Sequence, residues 1–228
     1  MILIVAGLVA LIGVAIYFGW KAEKERREAL AALAAELGLS FHPGNDREHD
    51  DEYAQFEIFR RGHSRVAKNT LSGTLELFAR RCDVRCGDFR YKVTRSTGKS
   101  TSTTTYNFSY LIVHPPWDTP PLLIRPEGLF DKIKATFGFD DIDFESAEFS
   151  RKFFVKSTDK RFAYDVMHPR MMEFLLAAVP PMLDIENGAL CLSDGQRLWS
   201  PADYRRQFAF LRQFCELWPR HLVKDLNA

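Results

Sequence analysis

The sequence has no surplus of either charge: 31 Lys and Arg stand against 30 Asp and Glu, a net charge of +1 over 228 residues. That balance leaves no electrostatic footprint for nucleic acid. Cysteine is scarce, with four in the chain. Cys82 and Cys86 are spaced C-x-x-x-C, and on a strand they share a face about 13 Å apart at ~3.3 Å per residue. That distance excludes a disulfide and a shared tetrahedral zinc. Cys191 and Cys215 fall inside apolar patterns, so all four read as reduced thiols of a cytoplasmic protein. The chain also lacks a Ser/His/Asp order and a nucleophile elbow.

A glycine is missing where a phosphate loop needs one. STGKSTSTTT, residues 96–105, places Gly98, Lys99 and Ser100 as the end of a G-x-x-x-x-G-K-[ST] pattern, but the first glycine position is Val93. Valine cannot take the backbone angles of that turn without strain. A phosphate loop must also lead into a helix, whereas Thr101 to Val113 is rich in Thr, Tyr, Phe and Val and favours strand. The segment therefore predicts a hairpin, with strands near 89–95 and 103–113 and a polar tip at Gly98 and Lys99. Arg95, Gly98 and Lys99 are candidates for a contact site with lipid headgroups or a partner protein.

Metal-ligand spacing is absent too. His49, Asp50, Asp51 and Glu52 are adjacent in a polar stretch with no second cluster. In FDDIDFESAE, residues 139–148, a calcium loop starting at Asp141 would need Gly at Ser146 and Glu at Lys152. Asp141, Asp143 and Glu145 read instead as the wet side of an extended segment, and nothing orients Glu145 and Glu148 as a carboxylate pair. His168, before Pro169, reads as a helix C-terminal histidine favoured by the dipole. No cofactor is implied.

What is present begins at the N-terminus. Residues 1–20, MILIVAGLVALIGVAIYFGW, contain no charge and reach ~30 Å as a helix, the depth of a bilayer core. This predicts a transmembrane helix. A cleaved signal peptide would need a basic start and a small-residue cleavage site, neither of which is evident. Tyr17 and Trp20 sit where interfacial aromatics belong, and Lys21, Lys24, Arg26 and Arg27 follow directly. By the positive-inside rule the N-terminus lies outside and residues 21–228 lie in the cytoplasm, on the inner membrane. Ala6 with Ala10 and Ala15 with Gly19 are small-residue pairs of a kind common in spans.

Residues 21–38 predict a juxtamembrane helix in which Leu30, Leu33 and Leu37 form a stripe for the domain itself or for a weak dimer seam. Residues 39–55 read as a polar linker. Residues 56–228 read as an α+β domain, a mainly antiparallel sheet partly covered by helices. Within it, helix is expected at 129–137, strand at Phe149 to Lys156, and helix over 159–178 broken at His168-Pro169. In MLDIENGALCLS the Asn187-Gly188 turn pairs Ile185 with Leu190 and Leu183 with Leu192 on one face. Ser200 caps a long amphipathic C-terminal helix bearing Tyr204, Phe208, Leu211, Cys215 and Trp218.

GHSRVAKNTLSG, GDFRYKV, LLIRPEG, DIDFESAEFSRKFFVKSTDKRFAYDV and HPRMMEFLL together cover most of residues 56–178. In these the chain resembles a family of bacterial membrane-anchored proteins, uncharacterised in activity, with one N-terminal transmembrane helix. The resemblance implies a single anchor and a separate folded domain, and it supplies no catalytic residues. The sequence thus points to a membrane-anchored cytoplasmic interaction or assembly domain whose partners are the bilayer and other membrane or cytoplasmic proteins. The alternative is a membrane-tethered hydrolase or phosphate-handling enzyme using Lys99, the 141–148 carboxylates or His168, which requires these groups to converge in one pocket.

Overall fold

The computed structural model describes residues 2–98, 100–127, 142 and 144–226, with side-chain surroundings from Leu11 onward apart from that of Asp225. In chain order its elements are α1 (Ile2–Leu37), β1 (Ser40–Asp46), α2 (His49–Glu52), a 3₁₀ turn (Glu57–Arg60), β2 (His63–Leu77), β3 (Arg80–Ser96), β4 (Thr101–His114) and β5 (Leu122–Pro126). Then follow α3 (Ala147–Lys152), β6 (Phe153–Ser157), α4 (Lys160–Val166), α5 (Pro169–Ala178), β7 (Met182–Glu186), β8 (Ala189–Ser193), α6 (Pro201–Glu216) and α7 (Arg220–Asp225). The chain is α+β.

The eight strands pair antiparallel in the order β1-β2-β3-β4-β8-β7-β5-β6. One row of opposed residues crosses every strand: Phe41, Leu71, Cys86, Leu111, Leu192, Leu183, Ile124 and Val155. These side chains belong to the larger core, which α1, α4, α5 and α6 cover through Leu30, Leu33, Val166, Leu175, Tyr204 and Leu211. The smaller core on the opposite face gathers Tyr53, Phe56, Phe59, Phe89, Phe108 and Tyr110. Alternation along each strand separates the two cores, as a period of two requires.

Turn chemistry sets the register where the sequence is explicit. Asn187 and Gly188 take φ of 50° and 70°, the two left-handed positions of a type I′ turn, and Ile185 faces Leu190 while Leu183 faces Leu192. Ser200 accepts from the Asp203 amide and the Asp203 carboxylate accepts from Ser200, a capping box with Pro201 at the first helical position of α6. Tyr204, Phe208, Leu211, Cys215 and Trp218 are all buried beneath it. The four cysteines are free thiols in the cores.

Several boundaries differ from the sequence reading. The two N-terminal segments join without a break, Ile2–Leu37 being one helix, because Ala, Leu, Glu, Lys and Arg continue α1 without a breaker until Gly38 at φ 69°. The polar linker of residues 39–55 is instead edge strand β1 with α2. Ser40, Phe41 and His42 pair with Ser72, Leu71 and Thr70, and Pro43 is tolerated because β1 is an edge with an irregular register before Asn45. Phe149 to Lys156 is not all strand, since Ser146 caps the short α3 by accepting from the Phe149 amide, and β6 begins at Phe153. The helix expected at 129–137 lies outside the described residues. Among the described residues, no helix is long and apolar enough to cross a membrane; half of the uncharged stretch, residues 1–10, has no described side chains.

Candidate functional site

The residues placed at the membrane interface lie on the exposed part of α1, with one exception. Tyr17 and Trp20 are exposed, their rings 6.5 Å apart, and Lys24 stands over the Trp20 ring at 5.6 Å. Lys21, Lys24 and Arg27 pair along the helix with Glu25, Glu28 and Glu23. Such exposed i,i+4 pairs contribute only a few tenths of a kcal/mol, about 0.3–0.5, and leave these cations at the surface. Arg26 is the exception, because it turns into the sheet. Its Nε and Nη2 donate to the two carboxylate oxygens of Asp88 at 2.7 and 2.5 Å, and its Nη1 donates to the Trp199 carbonyl at 3.0 Å.

The sheet is shaped to receive it. Asn69, at φ 52°, sits at a bulge of β2 opposite the Gly87–Asp88 stretch of β3. The strands approach so closely there that a Cβ on Gly87 would lie 3.1 Å from the Lys68 carbonyl oxygen and from the Thr70 Cα. The bulge aims Asn69 Nδ2 at Asp88, 3.1 Å away, and at Glu23, 3.2 Å away. Ser109 donates to Asp88 at 2.9 Å and accepts from the Trp199 amide at 2.9 Å, while Tyr204 donates to the Gly87 carbonyl at 2.8 Å. Asp88, Asn69 and Ser109 are wholly buried.

Glu23, one turn before Arg26, accepts from Lys68 at 2.7 Å. Desolvation pushes the Glu23 carboxyl up, but hydrogen bonds from Lys68 and Asn69 outweigh it and hold the group below its ordinary value. Desolvation likewise opposes the Arg26 charge, and the Asp88 bonds outweigh it and raise the guanidinium further. Farther along α1, Arg205 of α6 makes a two-pronged pair with Glu36 at 2.8 and 2.6 Å. A buried bidentate pair fixes both distance and angle. Chemically, then, this site is a clasp that sets the orientation of α1 against the sheet.

The hairpin at residues 96–101 is present, with longer strands than expected. Arg95 is exposed opposite Ser102, Gly98 is exposed at φ 79°, and Lys99 lies outside the described residues. The Thr97 amide donates to the Ser100 carbonyl at 3.0 Å across the turn, so strand continues where a phosphate loop requires a helix. Thr94 and Thr103 hydroxyls meet at 2.9 Å across the ladder.

The remaining candidates do not converge. An open groove of about 590 Å³ lies between α4, α5 and the α6–α7 corner, with Asp165, His168, Glu216 and His221 on its walls. His168 is the N-cap of α5, not a helix C-terminus, since Pro169 starts the next helix. Its Nε2 donates to the Leu217 carbonyl at 2.8 Å and its Nδ1 accepts from the Met171 amide, which commits both ring nitrogens to main chain. His221 Nε2 is 4.0 Å from Asp165, and among the described residues the groove walls contribute no Ser, Thr or Cys as a nucleophile. Glu145 and Glu148 are exposed, Glu148 being paired with Lys152, while Asp141 and Asp143 lie outside the described residues. Among the described residues, no three His, Cys, Asp or Glu side chains converge on a metal position.

Two ionisable groups, one buried and one half-buried, had no sequence signal beyond their neighbours. His49 stands in a box of Tyr53, Phe59, Phe89 and Tyr110 rings with centroids 4.6–5.7 Å away, and neither ring nitrogen has a protein partner. The apolar residues following it, Tyr53, Phe56, Ile58 and Phe59, were the available hint. Asp184 of β7 is half-buried; desolvation, then Glu186 and Glu57, push its carboxyl up to about 7. A raised carboxyl contributes stability when protonated and loses it as pH rises from ~4 to ~7. Asp184→Asn should therefore raise stability by about 1–3 kcal/mol at pH 8, with little change at pH 4. Thermal melts at the two pH values check this; equal shifts at both would refute it.

The chain matches no protein-family model and no curated protein. Among solved structures it is similar to the crystal structure of the mycobacterial trehalose monomycolate transport factor A, TtfA, with a TM-score of 0.60 and 13% sequence identity, over 85% of this chain and 96% of that one. The likeness is one of fold.

Proposed function

We propose that this chain is a membrane-anchored interaction or assembly domain, inserted through the first turns of α1 with residues 21–228 on the cytoplasmic side of the inner membrane. One observation carries the reading. Leu11 to Trp20 are ten consecutive uncharged helical residues, all exposed, and nothing in the domain covers them. Seven of the ten exposed large hydrophobics among the described residues fall in this stretch, which makes it a continuous apolar cylinder rather than scattered surface. A helix apolar all round needs lipid or a large core about it, and the uncharged sequence continues back to Met1. Lys21, Lys24 and Arg27 remain at its cytoplasmic flank, which supports the orientation.

The clasp gives the anchor a purpose beyond tethering. A helix joined to a domain by a flexible linker leaves the domain free to tumble, whereas here a buried pair six residues past Trp20, about 9 Å at 1.5 Å per residue, locks the two together. The domain is thereby presented to the membrane plane in one orientation, as an assembly partner requires. The structural neighbour is described as a transport factor, and an accessory role beside membrane machinery is the kind of function this geometry suits. The tethered-enzyme alternative has less support, because among the described residues only His168 of its proposed groups lines the groove and both its nitrogens are occupied.

Deleting residues 2–20 should move the chain from an alkali-resistant membrane fraction to the soluble fraction. A reporter active only in the periplasm should stay silent at the C-terminus of the intact chain. Intact chain extracted by alkali, or activity of that reporter, would overturn the anchor or its orientation respectively.

A further inference from the structure

The clasp also decides which end of the sheet faces the bilayer. Leu39, just past α1, lies against Gly73 of β2, while Glu23 meets Lys68 of the same strand. Passing from Gly73 to Lys68 along β2 is thus the direction in which α1 runs toward its N-terminus. β3 is antiparallel to β2, with Lys68 opposite Asp88 and His63 opposite Lys92, so β3 runs from Asp88 to Ser96 toward the membrane side. Those eight steps span about 26 Å at ~3.3 Å each, whereas Arg26 lies only about 9 Å of helix from Trp20. The β3–β4 hairpin therefore extends from the clasp toward the N-terminal end of α1, far enough for the tilt of the domain to bring it to the headgroups.

The composition of that end matches its position. From Phe89 to Trp117 the sequence contains no Asp or Glu, while Arg90, Lys92, Arg95 and Lys99 all fall there. Asp88 faces α1, so by alternation Arg90 and Lys92 share the α1 face of the hairpin, and Arg95 lies on the other. Among the described residues, none of Arg90, Lys92 and Arg95 has an ion-pair partner. The tip itself is Ser96, Thr97, Ser100 and Thr101, polar side chains suited to headgroups rather than hydrocarbon.

We propose that the β3–β4 hairpin end binds the anionic headgroups of the bilayer into which α1 inserts, through Arg90, Lys92 and Arg95, as a second membrane contact that sets the tilt of the domain. This rests on the anchor reading above. Each basic side chain at an anionic surface contributes ~1 kcal/mol, about fivefold in the equilibrium constant for engagement, and the attraction is screened by salt. Tyr91 and Tyr106, stacked at 5.1 Å, stiffen the hairpin beneath the contact.

The test uses the full chain with Ser102→Cys, an exposed position near the tip; the native cysteines are buried, and the chain without the added cysteine is the blank. A nitroxide at that position is read in nanodiscs of phosphatidylcholine, with or without phosphatidylglycerol, that carry gadolinium-chelating headgroups. Strong relaxation enhancement is expected in the anionic discs and weak enhancement in the neutral ones. The equilibrium constant for engagement should fall about fivefold with Lys92→Ala or Arg95→Ala, and the enhancement should vanish at high salt. Enhancement equal in both lipids and unmoved by the substitutions would overturn the proposal, as would enhancement in neither. Protection of the label only when a membrane-protein extract is added would assign the surface to a protein and overturn it as well. A chain not retained in discs of either composition would show instead that the anchor reading had failed.

Discussion

Asp88→Ala is expected to destabilise the protein by about 3–5 kcal/mol, the cost of leaving the partner of a broken buried ion pair uncompensated. The Arg26 guanidinium would retain only the Trp199 carbonyl at 3.0 Å and a long contact to Ser109 at 3.4 Å, while Asn69 and Ser109 would lose a shared acceptor. Because the pair bridges α1 and the sheet, the loss should appear as detachment of α1 before global unfolding. Hydrogen exchange of residues 23–34 in the detergent-solubilised full chain should rise first. The double variant Arg26→Met with Asp88→Leu should recover much of the stability, since apolar replacement of a buried pair is often neutral or better. It should not recover the fixed helix angle, because the bidentate geometry is gone. A loss below ~1 kcal/mol for Asp88→Ala would mean that the clasp is ornamental and that Leu30, Leu33 and Ala34 hold α1 alone.

His49→Phe should act in the opposite direction. Burial, with a smaller contribution from Arg85, lowers the His49 pKa to about 3, against ~6.5 for the unfolded chain. Between those values the unfolded chain holds a proton that the folded chain refuses, so stability falls as pH drops from ~6.5 toward ~3. The loss is about 2 kcal/mol at pH 5 and of order 4 kcal/mol near pH 3. Phenylalanine carries no proton and completes the ring box, so this acid limb should disappear. At neutral pH the variant should gain about 1–2 kcal/mol, because two buried nitrogens without protein partners are removed. Denaturant titrations of the two chains at pH 7, 6 and 5 decide the matter. Parallel pH profiles would mean that His49 is hydrated or paired in solution.

How much of this was legible in the chain depends on how far apart the cooperating residues lie. The Asn187-Gly188 hairpin, the Ser200 cap and the stripe of α6 are local, so their spacing alone specified register, start and buried face. The uncharged N-terminal run and its basic flank are also local, and they carry the membrane reading without any fold. By contrast, Arg26 and Asp88 are separated by 62 residues, and no periodicity marks them as partners. At the sequence level, Arg26 was one of four cations beside a predicted span. Only the bulge at Asn69, the bare backbone at Gly87 and the packing of Leu30 and Leu33 turn its face of the helix toward the sheet.

The same distance rule explains the linker that was not one. Residues 42–53 are polar enough to be solvated alone, but β2 offers an open edge and the face of Phe89 and Tyr110 needs a cover, so hydrogen bonding and ring burial draw the segment in and carry His49 with it. Local propensity and turn residues therefore determined the elements whose partners are near in sequence, such as the β7–β8 hairpin and α6, but not β1, α2 or α3. Tertiary structure decided which charged side chains face water and which are desolvated and paired. The physical reason is that desolvation depends on what packs against a residue, and only the folded chain supplies those neighbours.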